Sequence, residues 1–357
     1  MATSRVLTVA AAQLGPIQLA TPRAEVLDRM LKLLDQAGTT SPKTNLVVYP
    51  ELALTTFFPR HIISEASDVA KFFEPESANK PHAITQNPHT KPLFDRAKAL
   101  GIDISLGYAE RWTDADGKTS DFNTMIYYSA ARDSILSKYR KVHLPGTSKP
   151  VLKPNHSEQL EKMYFTNGDF GFQAFRAPGL VKGALKQQTV NGHLGASDGL
   201  GDPILGMLLC NDRRWPEAWR EYGLQGAELV LQGYNTCGYA PQLPGNVEEQ
   251  EKLAIFHHRL SCQAGSYQNA CFSINSGKAG YEDGGLLIAS SIIVHPNGKI
   301  MAESKTADDE LVTATINLAD CRDGKTRVFA FEKHRRIEHY GRIGTQTGAV
   351  EPPLLKD

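Results

Sequence analysis

The sequence predicts an α/β protein whose sheets are covered by helices. Three observations carry this. Short, continuous apolar runs recur along the chain, helical apolar periodicity fills many of the intervals, and polar Gly- or Pro-rich stretches punctuate both. Strands buried on both faces read as unbroken apolar runs, so helices are expected over the sheets.

The first run, Leu7–Ala12, follows an apolar start with no basic segment of any size and meets Gln13 at once. That reads as a buried strand rather than a leader. In Ala24–Ala37, the residues Val26, Leu27, Met30, Leu31, Leu33 and Leu34 mark a wide apolar helical face. Leu46–Tyr49 reads as a strand, and the polar stretch 74–91 as a surface excursion. Pro92–Leu100 follows as a short helix, then Ile102–Gly107 and Met125–Ser129 as strands. A second excursion, 178–203, precedes the strand Ile204–Leu209. Pro216–Tyr222 reads as a helix with its proline in the first turn. Leu229–Leu231 is a strand, Gln250–Ala264 a longer helix, and Cys271–Asn275 another strand. Ser291–His295 and Ile300–Glu303 flank Pro296-Asn297-Gly298, a hairpin signal, and Leu311–Ile316 alternates as a further strand. No linker, repeat or low-complexity tract divides residues 1–357, which read as a single domain.

Lys plus Arg and Asp plus Glu number 39 each, so bulk charge points to neither nucleic acid nor a membrane surface. No apolar stretch approaches the roughly 20 residues of a membrane span. The five cysteines are scattered, odd in number and without CxxC spacing, which fits free thiols in a reducing, cytoplasmic compartment. His257 and His258 adjoin in a helical stretch and point in different directions. With no HExxH pattern and no Cys/His cluster, neither a metal nor another cofactor is expected.

Chemistry concentrates at three strand ends. Cys210 closes an apolar run and is followed by Asn-Asp-Arg-Arg-Trp-Pro-Glu-Ala-Trp-Arg (211–220). A catalytic thiol needs exposure and a proton acceptor, and a carboxylate ligand needs the planar fork of arginine. Arg213 and Arg214 supply such forks, although ion pairs with Asp212 and Glu217 would explain them equally. Glu51 follows the strand Asn-Leu-Val-Val-Tyr-Pro and enters an apolar segment, where desolvation would suit a general base; a capping or ion-paired glutamate is the plainer reading. In Ser-Lys-Tyr-Arg-Lys-Val-His-Leu-Pro-Gly (137–146), alternation puts Lys141 and His143 on one side of an extended segment. A lysine held there can stabilise an oxyanion, against the simpler reading of a solvated basic face. Gly-Tyr-Asn-Thr (233–236) would carry Asn235 to the same sheet edge.

Glu51, Lys141 and Cys210, in this order and each at a strand end, resemble the Glu-Lys-Cys triad of the nitrilase superfamily. Pro50–Arg60, Lys138–Gly146 and Cys210–Arg220 look like the N-carbamoyl-D-amino acid amidohydrolases, and Phe256–His258, Gln263–Asn269 and Arg335–Gly341 extend the likeness. The resemblance implies a four-layer α-β-β-α sandwich, a small-molecule N-carbamoyl amino acid as substrate, and a homodimer or homotetramer. It assigns Glu51 as base, Cys210 as nucleophile, Lys141 as oxyanion donor beside the Asn211 amide, and Glu161 as a second carboxylate. Arg213, Arg214 and Asn235 would hold the substrate's carboxylate, with His143 and His257 supporting the site. The chain departs from the family in having Gln159 where a histidine stands, with His156 nearby. The 178–203 stretch is longer than usual, and the tail after Gly344 is extra.

Overall fold

The apolar runs fold into two facing sheets, seen in a computed structural model that describes residues 5–153, 156–182, 184 and 201–355. The first sheet contains β1 (Val6–Gln13), β2 (Leu46–Val48), β3 (Phe73–Ser77), β4 (Asp103–Thr113), β5 (Thr119–Ser129), β6 (Ser134–Arg140) and β15 (Glu310–Asn317). Its order is β15-β1-β2-β4-β5-β6, with β3 also on β4. The second contains β7 (Phe175–Arg176), β8 (Ile204–Leu209), β9 (Leu229–Tyr234), β10 (Phe272–Gly277), β13 (Ile292–Val294) and β14 (Ile300–Glu303), in the order β14-β13-β10-β9-β8-β7. A hairpin of β11 (Gly280–Glu282) and β12 (Gly285–Leu287) stands apart.

Helices cover both outer faces. On β1 the alternation is decisive: Leu7, Val9 and Ala11 face the other sheet, while Ala10, Ala12 and Leu14 meet α1 (Arg23–Thr39) and α3 (Lys91–Leu100). Between the sheets, Val48, Met125 and Tyr127 meet Leu205, Met207, Leu231 and Ile274. On the far face, Leu208 and Val230 pack on Ala218, Trp219 and Tyr222 of α5 (Pro216–Leu224). Cys262 of α6 (Val247–Asn269) packs on Ile292 and Val294. The four layers are α-β-β-α. Asn246 caps α6, accepting from Glu249 N at 3.0 Å while Glu249 accepts from Asn246 N at 2.9 Å.

Two expectations are corrected. The stretch 74–91 opens within an edge strand, β3, paired parallel to β4 from Phe73↔Ala109 to Ser77↔Thr113. Pro75 tolerates an edge, and Glu74 and Glu76 are buried rather than solvated because basic side chains meet them: Arg23 pairs with Glu74, Lys138 with Glu76. The segment after Arg140 is no continued strand, so Lys141 and His143 reach different partners. Most of 178–203 lies outside the described residues.

One topological detail places the site. β2 and β3 lie along the same edge of β4, at its two ends: β2 pairs with Asp103–Ser105 and β3 with Ala109–Thr113. The chain leaves the sheet in the gap between them. Tyr49 N donates to Ser105 O and Ala53 N to Gly107 O, both at 2.8 Å, which pins residues 50–52 over Gly107.

Candidate active site

Glu51 sits in that gap, fully buried. A Cβ on Gly107 would lie 2.5 Å from Pro50 O, and one on Gly233 of β9 would lie 2.5 Å from Glu51 N. One glycine from each sheet thus lets both backbones close on the Pro50–Glu51 peptide. Four donors meet the carboxylate. Oε1 accepts from Lys141 Nζ at 2.7 Å and Asn123 Nδ2 at 2.8 Å; Oε2 accepts from Asn235 N at 3.0 Å and its Nδ2 at 3.2 Å.

Lys141 follows β6 directly, its N–H donating to Asn123 O at 2.8 Å. Its ammonium is buried and touches both Glu161 oxygens at 2.7 Å besides Glu51. Glu161 begins the short helix α4 (Glu161–Tyr164), and Asn123 Nδ2 reaches its Oε2 at 3.2 Å. Neither His156 nor Gln159 bonds this carboxylate: His156 pairs with Glu158, and Gln159 Nε2 lies 3.9 Å from Cys237 Sγ.

Cys210 directly follows β8 with φ +44°, a left-handed conformation that costs a non-glycine residue energy and turns the chain sharply. Its carbonyl accepts from Arg213 Nη1 at 2.7 Å and Gln232 Nε2 at 3.4 Å, and its Sγ contacts Asn235 O at 3.3 Å. The turn is locked from below by buried Asp212. Asp212 Oδ2 accepts from Leu209 N at 3.1 Å and Tyr139 Oη at 2.7 Å. Its Oδ1 takes the His143 N–H at 3.0 Å and meets His143 Nδ1 at 2.8 Å. His143 stacks on Trp215, and Asn211 Nδ2 donates to His143 O at 3.1 Å.

Charge explains the resting protonation. Burial pulls the Lys141 ammonium toward neutrality, but Glu161 and Glu51 outweigh it and hold it charged. Burial raises Glu161 to about 7, the attraction of Lys141 being opposed by repulsion from Glu51. Burial first, and Glu51 second, push the Cys210 thiol up, so it rests protonated. A resting thiol, two carboxylates and one ammonium in a dry site form a proton-transfer set.

Three other expected site residues stand differently. Arg213 is buried, its Nη2 donating to Thr236 Oγ1 at 2.8 Å besides the Nη1 bond to Cys210 O, while its Nε has no partner among the described residues. Asn235 is spent on Glu51, also giving Nδ2 to Glu51 O at 2.8 Å. His257 faces solvent; the inward histidine is His258, whose Nε2 lies 3.0 Å from Ser290 O. Helical phase decides this, because His258 shares the buried stripe of Cys262, Gly265 and Ser266. Arg214 stands at the solvent boundary, within electrostatic reach of Cys210 and Cys237, and no side chain among the described residues pairs with it. Asn123 and Gln232 were not anticipated; their one sequence signal is an amide inside an otherwise strand-like run.

A groove of about 570 Å³ lies between α5, α6 and residues 329–344, away from this chemistry. Among those residues, no helix is long and apolar enough to cross a membrane.

A profile of the carbon-nitrogen hydrolase family matches residues 8–326. A nitrilase of Pyrococcus abyssi is 24% identical over 316 residues, covering 87% of this chain and 91% of the relative. An N-carbamoylputrescine amidase of Arabidopsis thaliana is 25% identical over 260 residues, covering 71% and 72%. A carbon-nitrogen hydrolase structure from Helicobacter pylori superposes with a TM-score of 0.72 at 21% identity, covering 96% of this chain and 99% of that one, and shows the same fold.

Proposed function

Because this chain belongs to the carbon-nitrogen hydrolase family, we propose that it hydrolyses the ureido group of N-carbamoyl-α-amino acids to amino acid, ammonia and carbon dioxide. The observation that carries the substrate class is Arg214, a guanidinium four residues after the thiol, without a partner among the described residues and suited to a carboxylate. The likeness to an N-carbamoylputrescine amidase supports a ureido carbonyl, while Arg214 disfavours a cationic tail. The D configuration, and assembly as a homodimer or homotetramer, rest on the resemblance of the motif stretches.

A ureido carbonyl is a poor electrophile because two nitrogens donate into it, so covalent catalysis divides the difficulty. In this reading Glu51 takes the thiol proton as Cys210 Sγ attacks the carbonyl carbon. Lys141 and the Asn211 amide face the developing oxyanion, each well-placed donor contributing about 3–4 kcal/mol. Collapse breaks the bond to the terminal nitrogen, which leaves as ammonia with the proton from Glu51. The thiocarbamate on Cys210 is attacked by a water that Glu51 deprotonates; the C–S bond breaks and Glu51 returns that proton to the Cys210 sulfur. The released carbamate loses carbon dioxide and leaves the amino acid. Asn123 and Asn235 hold Glu51 in place throughout, and Glu161 keeps Lys141 charged.

The test is product release from N-carbamoyl-D-phenylalanine and its L enantiomer, beside Cys210→Ala. Turnover of the D compound alone, lost in the variant, is expected. Turnover only of simple amides or nitriles would overturn the ureido reading and leave the family intact.

A further inference from the structure

Along β9, Leu229 and Leu231 face the other sheet, while Val230 packs on α5. By the same alternation Gln232 belongs to the helix side, where an apolar residue would fit as Val230 does. An amide stands there instead, with no exposure to solvent. A buried amide is costly unless both of its ends are bonded. Nε2 donates to Cys210 O at 3.4 Å, and Oε1 accepts from Cys262 Sγ of α6 at 3.4 Å. A carbonyl only accepts, so Cys210 O decides which end of the amide faces it. Cys262 is held in turn: its Sγ lies 3.8 Å from His258 Nδ1, and His258 Nε2 donates to Ser290 O at 3.0 Å.

This series of contacts ends on the peptide between Cys210 and Asn211. That peptide is trans, and a planar trans peptide carries its N–H antiparallel to its C=O. Anchoring Cys210 O therefore also aims the Asn211 N–H. Arg213 Nη1 reaches the same oxygen at 2.7 Å, but Arg213 belongs to the turn itself and moves with it. Gln232 belongs to β9 and ties the peptide to the sheet. Such ties matter next to a left-handed residue, because strained backbone persists only where its surroundings over-determine it.

We propose that Gln232 is a positioning residue for the oxyanion donor: together with Arg213 it holds Cys210 O so that the Asn211 N–H faces the site, and Cys262 orients its amide. The role requires no contact between Gln232 and substrate. It rests on the assignment of the Asn211 amide above, and not on the ureido group as substrate.

The test compares two reactions of the same thiol. With 4-nitrophenyl acetate, Cys210 Sγ attacks the acetyl carbon and its proton passes to Glu51. The C–S bond forms, 4-nitrophenolate leaves with the electrons of its C–O bond, and the path runs through an oxyanion. Iodoacetamide alkylates by displacing iodide at a saturated carbon and forms no oxyanion. Both products are assigned to Cys210 by peptide mass spectrometry. In Gln232→Met, acetylation falls about tenfold while alkylation stays within about twofold of wild type, a misaimed donor forfeiting part of what a deleted one costs. Cys262→Ala leaves Gln232 present but unoriented and lowers the acetylation-to-alkylation ratio by a smaller factor. Cys262→Ser, which keeps a donor, holds the ratio near that of wild type. An unchanged ratio in Gln232→Met overturns the proposal, as does an equal fall in both rates, which marks a general loosening of the turn. Should Gln232→Met not fold, an unchanged ratio in Cys262→Ala overturns it equally. If wild type hydrolyses no ureido acid yet the ratio falls as stated, the positioning role stands and only the substrate reading fails.

Discussion

Arg140 and Lys141 are neighbours in sequence and enter two buried ionic clusters of opposite character. Arg140 forks onto Glu110, with Nε–Oε2 at 2.8 Å and Nη2–Oε1 at 2.9 Å, and lies 3.9 Å over the Phe122 ring. Lys138 adds Glu110 at 2.8 Å and Glu76 at 2.7 Å, so the sealed part holds two acids against two bases. Burial alone would favour the neutral acid, yet Arg140 and Lys138 hold Glu110 below its ordinary range. The Lys141 cluster holds two acids against one base, and one of the acids, Glu161, is raised to about 7. The Arg140 cluster holds Glu110 ionised and staples β4 to β6, although burial raises its other acid, Glu76, against the pull of Lys138. A mismatched one keeps a proton near its exchange point beside a thiol.

The strongest break of this comparison is Cys210→Ala. Turnover should fall by roughly 10⁴-fold or more while the urea midpoint barely moves, because the thiol makes only a weak contact. Residual turnover in that variant would remove the thiol from the chemistry. Next come Arg140→Met and Lys141→Met, each stranding buried carboxylates at about 3–5 kcal/mol by denaturant unfolding. Both should lose stability, but only Lys141→Met should lose kcat per folded molecule. Equal kcat in the two would erase the distinction between staple and machine.

Glu161→Gln sharpens it through pH. The folded pKa of Glu161, about 7, lies above the ordinary 4.5, so between these values the folded state binds more protons than the unfolded. Its contribution is therefore fully present below about 4.5 and is lost as pH rises through 7. The stability of wild type minus that of the variant should decline across this window, read from urea midpoints at pH 5 and 8. A flat difference would show that Glu161 does not titrate there. The smallest effect belongs to Asp169→Asn at the wet end of the Arg140 cluster, where a carboxylate 54% exposed should be worth about 0–1 kcal/mol.

Legibility in the sequence followed burial. Ile204–Leu209 was readable to its ends because an apolar run stops abruptly at polar residues. β3 was missed because Glu-Pro-Glu reads as loop until Lys138 and Arg23 are seen to neutralise it. β11 and β12 are short, Gly-flanked and outside both main sheets, so no periodicity marks them. Glu51, Lys141 and Cys210 could be singled out by type and strand-end position. Adjacent residues could not be told apart: Arg213 and Arg214, or His257 and His258, differ only in where the turn or helix aims them. Asn123 was invisible because an amide in a strand announces nothing until its two carboxylates are in view.

The two glycines at Glu51 have a mechanical consequence. Gly107 and Gly233 belong to different sheets, and the Pro50–Glu51 peptide is clamped where they face each other. Sheet separation and the position of Glu51 are therefore one coordinate. Bulk added to the interior anywhere near Met207 or Leu231 is transmitted to the carboxylate as a displacement. The sandwich works as a spacer gauge, and reaction rate under hydrostatic pressure would register changes in its thickness too small to alter the fold.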